Sequence, residues 1–184
     1  MTFRTCVQKT DPAGIEALVH ETGFFSADEI AIARELADDG LCQGPASHYR
    51  FILADRDQEL AGYACFGPVP CTRSSWDLYW IAVAAATQGQ KLGQHLLQRV
   101  ESAVLAAGGT RIYADTSSRE RYVPTRRFYG RCGYLIAAEF PDFYASGDDK
   151  IVFLKVLEPS GPRTPDVEAA TLRDSAQGRI HRYP

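Results

Sequence analysis

No run of about 18 apolar residues occurs in this sequence, so no membrane-spanning helix is expected. The opening segment MTFRTCVQKTDPAG has no apolar core of the kind a secretory leader needs. Cysteine is sparse and odd in number: Cys6, Cys42, Cys65, Cys71 and Cys132, without a C-x-x-C pair. That pattern has no metal-site spacing and reads as reduced thiols of a cytoplasmic protein. Free cysteine is by default buried and inert; a lone catalytic thiol is the alternative. His20, His48 and His181 share no ligand spacing, and His95 reads as a surface or packing residue, so no metal is expected. Positive charge is not in excess either. The formal net charge of -3 gives nothing to steer the chain as a whole towards nucleic acid or an anionic membrane.

What is present is ordinary material for a globular domain. With 184 residues, 45% hydrophobic and 23% charged, the chain suits one domain with a sizeable core and room for an appendage. There is no internal repeat. Thr2 to Val7 predicts a short strand, and Asp11-Pro12 an N-cap followed by proline at the first helical position, with helix over 12–20. Ser26-Ala27-Asp28-Glu29 is a capping box. Ile30, Ala33, Leu36 and Ala37 continue it as a helix to about Asp39, which Gly40 can end. Tyr49 to Ala54 and Leu60 to Phe66 predict a hairpin across Asp55-Arg56-Asp57-Gln58. Cys71 to Ser75 reads as a loop, and Asp77 to Val83 as a central strand buried on both faces.

Leu92, Leu96, Leu97, Val100 and Val104 predict a long amphipathic helix ending near Gly108-Gly109. Arg111 to Ala114 is a short strand, and Pro124 opens a short helix with Phe128 and Tyr129 that stops at Gly133. Tyr134 to Phe140 and Ile151 to Leu157 are strands joined by a loop over Pro141 to Lys150. The order β-α-α-β-β-β-α-β-α-β-β predicts a mixed α/β fold with antiparallel pairing early and a parallel crossover in the middle. After Leu157 the stretch EPSGPRTP is linker-like, and Thr164 to Leu172 is one short helix at most.

The stretch WDLYWIAVAAATQGQKLGQHLL, Trp76 to Leu97, carries the chemistry. A buried strand runs into a glycine-bearing turn and then a helix. Unpaired N–H groups of that turn and of the first helical turn, with the helix dipole, form an anion site suited to a pyrophosphate. Gly89 and Gly93 leave room for close approach. A tight turn shaped by glycine alone is the plainer reading.

This block resembles the acetyl-CoA-binding motif of the GNAT acyltransferases, Q/R-x-x-G-x-G/A, with Gln88 first and Gly93 last. Lys91 stands where the first glycine is usual. A lysine there presents its N–H as glycine does if its φ/ψ is ordinary helical. A second block, PTRRFYGRCGY, resembles the late motif of the family through Phe128-Tyr129 and Gly133-Tyr134. Tyr122 replaces an Asn often found in relatives. The resemblance implies a GNAT acyl-CoA N-acyltransferase fold: a mixed central sheet with a splayed β4/β5 pair, flanked by helices. It implies a domain over residues 1–157, followed by a tail over 158–184, flexible or docked.

The resemblance also implies direct transfer from acetyl-CoA, as co-substrate, to an amine. Ile81, Ala82 and Val83 would lie along pantetheine, one backbone N–H stabilising the developing oxyanion. Gln88, Gly89, Gln90, Lys91, Leu92, Gly93 and Gln94 would receive the pyrophosphate, with Phe128 beside them. Tyr129 is expected as the acid for the departing thiolate, or else is a core tyrosine. Asp77 is the first candidate base for an amine of pKa ~10, or else a solvated strand-end residue. Tyr79 is expected to face the acceptor. So are Asp142, Phe143 and Tyr144 of PDFYASGDDK, where rings and carboxylates suit a cation, unless they only make a stable turn. Arg119, Arg121, Arg126, Arg127 and Arg131 are a solvated face by default; one or two can take a CoA phosphate or an acceptor carboxylate.

The reading is therefore an acetyl-CoA-dependent N-acetyltransferase of a small-molecule amine, without nucleic-acid or membrane partners, and compatible with a homodimer. The alternatives are an acyl-CoA sensor without turnover, and a transferase acting on a protein N-terminus or lysine.

Overall fold

The structure, a computed structural model, describes residues 1–158. The helix expected over Thr164 to Leu172, and all of the expected tail but Glu158, lie outside the described residues.

The elements are β1 (Thr2–Arg4), α1 (Asp11–Glu21), α2 (Ala27–Gln43), β2 (Arg50–Arg56), β3 (Glu59–Pro68) and β4 (Ser75–Val83). There follow α3 (Leu92–Ala106), β5 (Arg111–Ser117), α4 (Val123–Arg131), β6 (Leu135–Ala145) and β7 (Asp148–Val156). One sheet of seven strands runs β1-β2-β3-β4-β5-β7-β6. Among the described residues only β4 and β5 pair in parallel, through the crossover helix α3; their neighbours pair antiparallel. This is the expected mixed α/β architecture.

Each face of the sheet carries its own apolar core. On one, Ile15, Leu18 and Val19 of α1 and Ala33 and Ala37 of α2 close over Phe51, Leu53, Tyr63 and Cys65. On the other, Leu92, Leu96, Leu97, Val100 and Val104 of α3 meet Ile52, Ala64, Phe66, Leu78 and Ile112, with Tyr129 of α4 alongside. The α3 side chains recur every three or four residues, which puts them on one stripe.

A β-bulge in β4 decides which residues reach which core. Cys65 of β3 pairs with Trp80, but Phe66 pairs with Leu78, so Tyr79 is a surplus residue. Side chains alternate along a strand, and one extra residue inverts the alternation. Before it, Trp76 and Leu78 face the α3 side; after it, Ile81 and Val83 do, while Trp80 and Ala82 turn to the α1/α2 side.

Several element boundaries differ from expectation. Asp11 is not the N-cap, which is Thr10. The Asp11 carboxylate is buried and accepts from the Gln8 N–H at 2.6 Å and from the Arg4 guanidinium at 2.6 and 2.7 Å. Arg4 also holds Asp55 at 2.7 Å, tying β1, α1 and β2 together. A charge taken out of water needs partners, and that need outweighs capping here. Helix α2 runs past Gly40 to Gln43, and Gly44, at φ 54°, ends it. Gly40 is there because α2 crosses β2 closely: an added Cβ would lie 2.7 Å from the Phe51 ring. The expected loop over 141–150 is mostly strand. Pro141 sits in β6, an edge strand, where a missing N–H costs the ladder nothing. β5 extends to Ser117 because β7 pairs it along its whole length.

Alanine normally stabilises a helix relative to glycine by about 1 kcal/mol. At Gly40 the sign reverses, because Phe51 is only 3% exposed and has no room to move. Gly40→Ala is expected to lower stability by about 1–3 kcal/mol, the range for overpacked cores, read as a lower midpoint in chemical denaturation.

Candidate active site

The ladder between β4 and β5 starts at Ser75↔Arg111 and ends at Leu78↔Ala114, although β4 continues to Val83 and β5 to Ser117. Pairing stops where the Tyr79 bulge begins. Between the two free arms opens a cleft of about 960 Å³, bordered by Tyr79 to Val83 and by Asp115, Thr116 and Ser117. The peptide groups on one edge of β4 belong to β3. Val83 lies opposite Gly62, and the Ala84 N–H donates to the Ala61 carbonyl at 2.9 Å. Antiparallel alternation then turns the peptide groups of Ile81 and Val83 away from β3, into the cleft.

At the end of β4 the chain makes a 3-10 turn, Ala85–Thr87, before α3. The buried Thr87 hydroxyl bonds the Ala61 carbonyl at 3.1 Å and the Ala84 carbonyl at 3.0 Å, which pins the turn to β3. Gly89 has φ 77° and Lys91 has φ 62°, ψ 12°. Lys91 is therefore left-handed, not helical as the sequence reading required. The backbone reverses at this point to enter α3, and glycine would do so without a Cβ penalty. The first intrahelical bond is His95 N–H to Lys91 C=O at 3.1 Å. The N–H groups of Leu92, Gly93 and Gln94 precede it, at the positive end of the helix dipole. α3 has no side-chain cap. Its place is held by burial of Leu92, Leu96, Leu97, Val100 and Val104, each 3% exposed or less and worth about 1.5–3 kcal/mol, against about 1–2 kcal/mol of strain at Lys91.

The expected site residues fall in three groups. Tyr79, Ile81, Ala82, Val83, Gln88, Gly93, Phe128, Tyr129 and Tyr144 line the cleft. Gly93 lies against the Phe128 ring; an added Cβ would be 3.4 Å from it. Gly89, Gln90, Lys91 and Gln94 form the turn and helix start beside the cleft, while Leu92 points into the core and offers only its backbone. Asp77, Asp142 and Phe143 are not among the lining residues. Asp142 and Asp149 spend their carboxylates on the β6–β7 turn, accepting from the Gly147 and Asp142 N–H groups at 2.6 and 2.9 Å. The Lys150 ammonium sits 4.8 Å from the centre of the Phe143 ring.

Tyr129 is buried, its ring against Phe153 at 5.2 Å and Tyr134 at 5.6 Å. Burial, then the nearby Asp115 carboxylate, push its phenol well above the usual value, so it stays protonated. Asp77 is half-buried between Gly67 and Tyr113, in the paired stretch of β4. Burial, then Asp115, raise its carboxyl above the usual range, with Lys150 and His48 acting in opposition. Asp115 faces the cleft and is salt-bridged to Lys150. The Tyr79 phenol lies 3.1 Å from His48 Nε2, and burial, then Asp77, push it up to about 12.

The far wall was missed from sequence. Phe24 and Phe25, in the link between α1 and α2, reach different partners. Phe25 packs on Trp80 at 5.8 Å, and Phe24 on Tyr122 at 5.7 Å. The Tyr122 hydroxyl donates to the Phe24 carbonyl at 3.0 Å. The residue that departs from the family pattern thus bolts this link to the start of α4. The buried Asp148 accepts from the Ser117 hydroxyl and pairs with Arg119 at 2.9 Å, and Arg126 donates to the Ser117 carbonyl at 2.6 Å. Two of the lining residues each hold a polar side-chain atom that is buried without a partner: Trp80 Nε1 and Thr116 Oγ1. No sequence signal marks them.

The sequence profile of the Acetyltransferase (GNAT) family matches residues 18–134. No curated protein matches the chain. Among solved structures, a GNAT-family protein from Desulfovibrio desulfuricans is 43% identical, with a TM-score of 0.84 over 85% of this chain and 99% of its own. An aminoglycoside 6'-N-acetyltransferase complexed with coenzyme A is 17% identical, with a TM-score of 0.69 over 88% and 100%. The ribosomal-protein-S18-alanine N-acetyltransferase of Escherichia coli is 18% identical, with a TM-score of 0.68 over 87% and 96%. The last two share the fold.

Two outcomes are expected. Lys91→Gly relieves the left-handed strain and raises stability by about 0.5–1 kcal/mol after the entropy cost of glycine, measured by chemical denaturation. Asp77→Asn tests the raised carboxyl. A folded pKa above the unfolded one means that the native state holds the proton more tightly. The native advantage is complete below the unfolded value, 3.8, and fades as pH rises through the folded value. The substitution should therefore raise the melting temperature at pH 7 relative to its effect below that range. A uniform effect at both pH values would remove this account.

Proposed function

This chain belongs to the acetyltransferase (GNAT) family, and we propose that it transfers acetyl from acetyl-CoA to a primary amine of a small molecule by direct attack. It is an acyltransferase on family grounds. The observation that carries the finer reading is the splay: a cleft between two strand arms, with free peptide groups along one side and a helix start at one end. Residues 1–157 are the catalytic unit. The five cysteines, all free thiols, favour a reducing compartment such as the cytoplasm.

Pantetheine is an extended chain with amide groups. It adds to the open edge of β4, where Ile81 and Val83 offer backbone partners and Ala82 faces the opposite core. Its pyrophosphate takes the N–H groups between Gln88 and Gln94, with Gly93 and Phe128 beside the pantetheine end. A backbone N–H of β4 aimed at the thioester oxygen stabilises the oxyanion.

The amine nitrogen attacks the thioester carbonyl carbon; a C–N bond forms and the C–S bond breaks. The thiolate takes the proton of the Tyr129 hydroxyl, which burial keeps available as a donor. The proton lost by the amine passes to the carboxylate pair Asp77 and Asp115, directly or through water, and Tyr129 is reprotonated in turn. Asp115 is the member at the cleft, and Asp77 lies behind it with its raised proton affinity. Tyr79 borders the acceptor, as does Tyr144, whose phenol burial pushes up to about 12.

The Tyr122 bolt on Phe24 closes the far wall, which supports a small molecule over a peptide laid across an open groove. The direct test is CoA release from acetyl-CoA with a panel of amines, read with a thiol reagent. Tight acetyl-CoA binding without release on every amine would convert the reading to a sensor. In the active protein, Tyr129→Phe is expected to lower kcat by roughly 100-fold, the lower end for loss of a general acid, with little change in KM for acetyl-CoA.

A further inference from the structure

Helices α1 and α2 cover only part of their side of the sheet. Among the described residues, the core beneath them takes its strand side chains from β2, β3 and β4, and none from β5, β6 or β7. Pairing carries the uncovered face across those three strands. Leu154 lies opposite Tyr113 and Leu135, Val152 opposite Asp115 and Ala138, and Lys150 opposite Phe140. Paired residues share a face. Ile151 and Phe153, which alternate with them, point the other way into the α3 core.

What this face exposes is apolar. Leu135 is 75% exposed, Val156 57%, Phe143 56% and Phe140 48%, with Val152 and Leu154 partly exposed between them. Phe143 joins the face through its ring contact with Phe140 at 6.3 Å. Together these side chains show on the order of 500 Å² to solvent, a large patch for a monomer. A standard interface buries about 800 Å² per partner, about 60% of it apolar, so the patch meets the apolar requirement of a stable dimer.

The charges on the face are of both signs. Lys150 is paired with Asp115, and its ammonium lies 4.8 Å from the centre of the Phe143 ring. Asp77 and Arg111 lie at the β4 and β5 margins. A face without an excess of one sign does not repel a copy of itself, and it has no field to select a strongly charged partner. The free edge of β6 is blunted against strand addition: Pro141 has no N–H, Asp142 has φ 53°, and the register with β7 shifts after Ile136 and again after Phe140. The face beside that edge has no such protection.

We propose that this face is the contact between two copies of the chain. Strands β5, β7 and β6 of one copy pack against the same strands of the other about a two-fold axis, sheet face on sheet face. The contact adjoins the cleft, because Phe143 packs edge-on against Tyr144 at 5.1 Å and Tyr144 lines the cleft.

The test is the mass of the full-length protein in solution, by sedimentation velocity over a wide concentration range. A dimer of the 20.3 kDa chain is expected. Leu135→Glu combined with Phe140→Glu should raise its dissociation constant about 100-fold or more. Ile136→Glu, on the opposite face of the same strand and 60% exposed, should leave the dimer intact. All three positions are exposed in the single chain, and circular dichroism checks that the variants fold. In wild type, hydrogen-exchange protection over 135–145 should fall on dilution together with the dimer. A monomer at every concentration overturns the inference, whether residues 159–184 or a different protein then cover the face. A dimer that survives the double variant, or that Ile136→Glu weakens as much, overturns it too.

Discussion

One surplus residue in β4, Tyr79, is the constraint on which the rest of the site depends. It inverts the alternation of the strand, so the α3 core takes Trp76 and Leu78 before it and Ile81 and Val83 after it. It also ends the ladder with β5 at Leu78, while both strands continue. The arms stay apart because each has its own anchor. Ile81 and Val83 pack against the α3 core, Trp80 packs against Phe25 and the α1/α2 core, and β5 is paired with β7 as far as Ser117. The gap is thus a product of satisfied packing on both sides, and not of missing contacts. Its open peptide groups are the ones that sheet geometry leaves over.

The two ends of the gap are built on different physics. At the turn, backbone N–H groups do the work, and side chains serve mainly to fix the backbone: Thr87 ties it to β3, and α3 is held by its buried stripe. That stripe is strong enough to carry a lysine in left-handed geometry at the helix entry. At the other end the work falls to side chains. Buried Asp148 orders Ser117 and Arg119, and Tyr122 joins α4 to the α1–α2 link. A lysine in place of glycine and a tyrosine in place of asparagine both look like losses by family pattern. In the structure the first is a tolerated strain and the second is a new strut.

The elements were legible where periodicity and caps were strong. The Ser26 to Glu29 capping box, the stripe from Leu92 to Val104 and the turn at Gly133 are where the sequence placed them. So was the junction from Val83 through Gln88 to Gly93, because strand, turn and helix are all local. The bulge was not legible, since DLYWIAV is apolar on both faces and alternation carries no phase there. Gly40 was misread as a helix end because only the approach of Phe51, distant in sequence, explains it. Asp11 was misread for the same reason, its partner Arg4 lying on another element. The far wall of the cleft depends on contacts between residues near 24, 80, 122 and 148, which no window along the chain brings together.

The bulge also makes β4 unequal in what it accepts from evolution. Apolar residues between Trp76 and Val83 can be exchanged for others of similar size without altering which core they enter. A change in length cannot be absorbed in the same way. Deleting Tyr79 would restore regular alternation with Ile81 and Val83 still on the α3 side, and would let β4 zip further along β5. The cleft would close while the sheet remained intact. Within this strand, the number of residues thus constrains the cleft more tightly than their identity does.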